Sequence, residues 1–82
     1  METKLYVGNL AFDITEDHLR NPFTQAGKVN DVSLVKNHGT GSSKGYGFVI
    51  MSSQEDGNKA IEQFHGRSIG YRELVVNVDQ IK

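Results

Sequence analysis

The chain contains no cysteine. That excludes a disulfide framework, a thiolate zinc site, an iron–sulfur cluster and a cysteine nucleophile, and it makes a reducing compartment the natural home. No apolar run approaches the roughly 18 residues that span a bilayer. The opening Met1-Glu2-Thr3-Lys4-Leu5 has no long apolar stretch behind a basic end, so neither a membrane segment nor a secretory leader is expected. Net charge is scarce too: nine Lys and Arg face ten Asp and Glu, for a formal charge of −1. A protein that holds its ligand mainly by neutralising phosphates is ordinarily basic, so composition by itself points mildly away from nucleic acid. Proline occurs once, at Pro22. What is present is a chain of 82 residues, 37% apolar and 23% charged. That is one small globular domain rather than a disordered chain, and it is stable only if most apolar side chains enter one core.

Hydrophobic periodicity divides the chain into six elements. Lys4-Leu5-Tyr6-Val7-Gly8 reads as a strand with Leu5 and Val7 on one face and Lys4, Tyr6 and Gly8 on the other. Thr15 is a suitable N-cap, and Glu16 and Asp17 put negative charge in the first turn of a helix. Leu19, Phe23 and Ala26 form its apolar face, and Gly27 ends it. Pro22 removes a donor inside that helix, at about 3 kcal/mol, which predicts a kink or a restart near Asn21. Val29, Val32 and Leu34 mark a second strand running to about Lys36, with Ser33 and Val35 facing the other way. Asn37 to Ser43 is a turn-rich loop. Lys44 to Met51 is a third strand, suited to a hairpin with the second. Ser52 or Ser53 caps a second helix, Ser52 and Glu55 having capping-box spacing. Ala60, Ile61 and Phe64 are its apolar stripe and Gly66 ends it. Leu74, Val76 and Val78 mark a last strand. The order strand, helix, strand, strand, helix, strand predicts an α+β, ferredoxin-like split βαβ fold: a four-stranded antiparallel sheet backed by two helices, with residues 1–82 as one domain.

The third strand carries the chemistry. Its period of two places Lys44, Tyr46, Phe48 and Ile50 on one face and Gly45, Gly47, Val49 and Met51 on the other. The second set suits a core beneath helices, which leaves two aromatics and a lysine on the open face. Tyr6 joins them there, because Leu5 and Val7 claim the core side of the first strand. Large aromatics on an open sheet face make sense if something flat stacks on them. Nucleobases do so at roughly 1–3 kcal/mol per base.

Lys44-Gly45-Tyr46-Gly47-Phe48-Val49-Ile50-Met51 resembles the octapeptide of the RNA recognition motif family, Lys/Arg-Gly-Phe/Tyr-Gly/Ala-Phe-Val-x-Phe/Tyr. It departs only at Met51, a flexible apolar side chain able to fill an aromatic's core site. Leu5-Tyr6-Val7-Gly8-Asn9-Leu10 resembles the family's hexapeptide. The two motifs stand in the family's order, on the expected strands. The resemblance covers essentially the whole chain. It implies binding of single-stranded RNA, with Tyr6 and Phe48 each under one base and Tyr46 against the sugars between them. It further implies a phosphate contact from Lys44 and base-edge contacts from Asn77 and the segment Val78-Asp79-Gln80, with Lys4 and Ile50 at the periphery. Stacking alone does not separate RNA from single-stranded DNA, which stays open as a ligand. Three positions depart from the family pattern. Gly57 stands where an apolar helix former is usual, Tyr71 near where the chain often turns on glycine, and the loop from Asn37 to Ser43 lacks a basic residue.

The resemblance also lets the charges be read by position. Asp13, Glu16, Asp17, Glu55, Asp56 and Glu62 fall on or beside the helices, whereas Lys4, Lys36, Lys44 and Lys82 fall on strands or the segment after them. A neutral chain can thus present a mildly positive sheet. Two or three phosphate contacts give a log–log salt slope of about −1.4 to −2.1, and stacking of two or three bases gives roughly micromolar affinity.

Two other functions have partial counterparts in known architectures. Some RNA recognition motifs bind a tryptophan-bearing peptide on the helix side, through an acidic first helix and an Arg-x-Phe loop after the second. Glu16, Asp17 and Arg67-Ser68-Ile69 match this in part, with Ile69 in place of the aromatic. An acylphosphatase-like enzyme would need an arginine in the loop after the first strand, and Asn9-Leu10-Ala11-Phe12-Asp13 has none. No acid–base pair or activated nucleophile is evident elsewhere, so no catalytic role is expected. His18, His38 and His65 have no metal-ligand spacing, and Gly39 to Lys44 lacks the Gly-Lys-Ser/Thr ending of a phosphate loop. The expectation is therefore a monomeric, non-catalytic domain without metal, cofactor or membrane contact. Its place is intracellular, in cytoplasm or nucleus, and not secreted.

Overall fold

In the computed structural model, residues 2–11, 13–36, 39–40, 43–69 and 72–79 are described. The elements are β1 (Thr3–Gly8), α1 (Glu16–Ala26), β2 (Val29–Lys36), β3 (Ser43–Met51), α2 (Gln54–Phe64), β4 (Ser68–Ile69), β5 (Arg72–Glu73) and β6 (Val75–Val78). β2, β3, β1 and β6 lie in that order in one sheet, and each neighbouring pair is antiparallel. This is the expected split βαβ arrangement, with one addition. β4 and β5 pair in a separate two-stranded hairpin, Ser68 opposite Glu73 and Ile69 opposite Arg72. Two-residue strands are too short to show a period, so nothing in the hydrophobic pattern announces them.

The core forms between one face of the sheet and the two helices. Leu5, Val7, Val49, Met51 and Val76 come from the sheet, and Leu19, Phe23, Ala26, Ala60 and Phe64 from the helices; all are buried. Phe23 and Phe64 meet with ring centroids 4.9 Å apart, which joins α1 to α2. Met51 is fully buried, filling the site of the motif's last aromatic.

Thr15 caps α1 by accepting from the His18 amide at 3.2 Å. The restart expected at Asn21 does not occur. The helix runs unbroken through Pro22, because a break there would pull Leu19 or Phe23, both fully buried, out of the core. Ser53, not Ser52, caps α2, its hydroxyl accepting from the Asp56 amide at 3.1 Å. Gly27 ends α1 in extended backbone rather than the left-handed conformation common at helix ends. Its lack of a side chain serves packing instead, since a Cβ there would collide with Asp56 of α2. The Asp56 carboxylate accepts from the Lys28 amide at 3.3 Å, tying the start of α2 to the start of β2.

Candidate nucleic-acid interface

The register of the sheet builds the open face row by row. Ser33 lies opposite Phe48, Phe48 opposite Tyr6, and Tyr6 opposite Asn77. Cross-strand partners share a face, so these four side chains form one line across all four strands. A parallel line holds Asp31, Ile50 and Lys4. It continues to Asp79, whose amide donates to the Lys4 carbonyl at 2.9 Å.

The three aromatic rings form one cluster. Tyr6 and Tyr46 stack with centroids 5.8 Å apart and planes within 11°. Phe48 stands edge-on to both, 6.2 Å from Tyr6 and 6.1 Å from Tyr46. Each ring is half-buried because each covers part of the others. The cluster is thus a preassembled apolar platform, and little side-chain entropy remains to be lost when a ligand lands on it. Lys4 adds a cation: its Nζ lies 4.4 Å from the Phe48 ring centroid and 3.6 Å from Asp79 Oδ2.

Tyr6, Tyr46, Phe48, Ile50, Asn77, Lys4 and Asp79 therefore all lie on the open face. Val78 does not. It pairs with Leu5 and alternates with Asn77, so its side chain belongs to the helix side of the sheet. Lys44 lies within β3, but its side chain falls outside the described residues, as do Gln80 and Lys82.

Ser33 lies on the open face as its alternation with Val32 and Leu34 implies, and two further residues join it there that the sequence pattern had not singled out, Asp31 and Val75. Asp31 is exposed beside buried Val32, and Val75, 38% exposed between buried Leu74 and Val76, lies opposite Gly8. Period two counted outward from the buried Val32 and Val76 places both. Asp31 also corrects the expected charge pattern. Together with Asp79 it puts two carboxylates on the face expected to be mildly positive.

Small residues and local caps hold the platform's strands in place. Gly45 adopts φ +91°, a conformation that side chains other than glycine's rarely take, and its carbonyl accepts from the Leu10 amide at 2.8 Å. Gly47 lies against β2 so closely that a Cβ would strike the Ser33 carbonyl oxygen. At the free edge of β6, the Val76 amide donates to His65 Nδ1 at 3.1 Å. That covers a donor which an edge strand otherwise leaves open.

Fold and site together define a split βαβ domain with an aromatic platform on an open sheet. The RNA recognition motif family matches over residues 5–75, and the chain belongs to that family. Human "Probable RNA-binding protein 23" is 45% identical over 73 residues, covering 89% of this chain and 17% of that protein. The chain spans 17–33% of the length of the curated relatives it matches. Among solved structures, the second RNA recognition motif of yeast poly(U)-binding protein Pub1 superposes with a TM-score of 0.87 at 31% identity, covering 98% of this chain and 96% of that one. The Rna15 domain with bound RNA (GU) superposes with a TM-score of 0.86 at 26% identity, covering 95% and 83%.

Proposed function

We propose that this domain binds single-stranded RNA on the open face of its sheet, without catalysis. The observation that carries the reading is the line Ser33, Phe48, Tyr6, Asn77. It sets two aromatic rings side by side at the centre of the face and polar groups at either end. Phe48 and Tyr6 each take one base, Tyr46 packs on the intervening sugar, and Asn77 and Ser33 offer hydrogen bonds to base edges. Lys44, by its place at the start of β3, is the proposed phosphate contact. A neighbour of the same fold solved with RNA supports the assignment.

Two stacked bases contribute about 1–3 kcal/mol each, which after immobilisation corresponds to roughly micromolar affinity. A domain of that strength gains from a second binding module, and RNA is the ligand proposed over DNA on the strength of the family. The test is a titration of isotope-labelled protein with random-pool RNA and DNA oligonucleotides, following backbone amides. Shifts centred on Tyr6, Tyr46, Phe48 and Asn77, saturating at lower RNA than DNA concentration, are expected. Shifts confined to α1 and α2, or none at low salt, overturn the reading.

A further inference from the structure

Lys4 is held twice by Asp79. The Asp79 amide donates to the Lys4 carbonyl at 2.9 Å, and the Asp79 carboxylate pairs with Lys4 Nζ at 3.6 Å. Both side chains are partly shielded from solvent, at 36% and 26% exposure, so the pair is screened less than a fully exposed one. The ammonium so placed lies over the Phe48 ring, 4.4 Å from its centroid. This is a cation–π contact, and it fills the space above that ring face. A base stacking there needs the same space.

We infer that Lys4 occupies the Phe48 stacking position in the free protein, and that Asp79, by holding it there, sets the affinity of that position. The inference rests on the open face being the RNA-binding surface. A base arriving on Phe48 displaces the ammonium, breaking the cation–π contact and the ion pair. The freed lysine then turns to the RNA as a donor. Asp79 is thus a positioning residue that acts through Lys4, rather than a reader of base edges.

Asp31 provides the control. It is an exposed carboxylate on the same face, opposite Ile50, with its Oδ1 accepting from the Val32 amide. Asp31→Asn removes the same charge as Asp79→Asn. If Asp79 acts through Lys4, Asp79→Asn tightens RNA binding about two- to fivefold, the range a partly exposed ion pair spans. It does so beyond any gain from Asp31→Asn. In a Lys4→Gln background that excess vanishes.

A proton spectrum reads the contact directly. Over the Phe48 ring, the Lys4 ε-methylene protons are shifted upfield in the free protein, and the shift is lost in Phe48→Leu. Saturation of the intact protein with random-pool single-stranded RNA returns it to the ordinary lysine position. The inference is overturned by an ordinary Lys4 shift in the free protein, by an upfield shift that survives saturation, or by equal effects of the two Asp→Asn changes. If Lys4 is upfield but RNA moves no amide on the face, the surface reading fails, and the role given to Asp79 fails with it.

Discussion

The phenol ring of Tyr6 lies over Gly8, so close that a methyl group on Gly8 would stand 2.6 Å from the Tyr6 hydroxyl oxygen and 2.9 Å from two ring carbons. The glycine of the hexapeptide thus lets the first ring of the platform lie down along its own strand. Gly8→Ala is expected to swing Tyr6 off the platform. The ring is the movable partner, so the loss of stability stays below about 1 kcal/mol, while RNA affinity falls about tenfold. Thermal melting and RNA titration of the one variant check both halves. Unchanged affinity contradicts the assignment of Tyr6.

Gly57 lies buried in α2, facing Thr3 of β1. A Cβ there would sit 2.9 Å from Thr3 Cγ2 and 3.2 Å from Thr3 Cβ. The helix-forming gain of alanine, about 1 kcal/mol, is opposed by this overlap, for which overpacking penalties run to about 1–3 kcal/mol. Gly57→Ala is expected to lower stability by about 1 kcal/mol in the intact chain. It should be neutral or stabilising when Thr3→Ser has removed Cγ2. Urea unfolding of the four proteins in this cycle gives the coupling, expected at about 1 kcal/mol or more.

The two glycines of β3 act for different reasons, and the size of the effect separates them. A methyl on Gly47 strikes the Ser33 carbonyl oxygen and comes within 3.1 Å of Leu34 Cδ2, so β2 must move off β3. Gly47→Ala is expected to cost about 3 kcal/mol. Gly45 has room, its nearest neighbour being the Leu10 carbonyl oxygen at 3.5 Å, but its positive φ alone costs an alanine about 1–2 kcal/mol. Denaturant unfolding should rank the losses Gly47→Ala above Gly45→Ala above wild type.

α1 continues through Pro22 although that residue has no amide to donate. Pro22→Ala restores a donor and a favourable helix residue without disturbing Leu19 or Phe23. It is expected to raise stability by about 1–3 kcal/mol, read as a Tm rise of about 4–8 °C per kcal/mol for a domain of this size.

Period-two alternation made β1 and β3 legible, and with them the shared face of Tyr6, Tyr46 and Phe48. Burial of Leu19, Phe23, Ala60 and Phe64 followed from helical spacing in the same way. The Lys4, Phe48 and Asp79 arrangement was not legible. It depends on the register of β6 against β1, and no local pattern encodes that register. Val78 belongs with Leu74 and Val76 by period two, and that alternation outweighs its place in the segment Val78-Asp79-Gln80, since one step along a strand reverses the face. Pro22 signals a break by propensity alone, whereas the tertiary contacts of Leu19 and Phe23 that hold the helix on both sides of it are encoded in no local pattern. Gly57 read as a departure from pattern until its distance to Thr3 supplied the reason.

Stacking on Phe48 and Tyr6, rather than phosphate charge, is the proposed source of affinity. It is tested most directly by the affinity of a short single-stranded RNA for the wild-type domain and for Tyr6→Leu/Phe48→Leu across a salt series. A loss of about tenfold or more is expected at every salt concentration, with the log–log slope unchanged at about −1.4 to −2.1. Affinity that survives the double substitution, or a loss accompanied by a shallower slope, contradicts it.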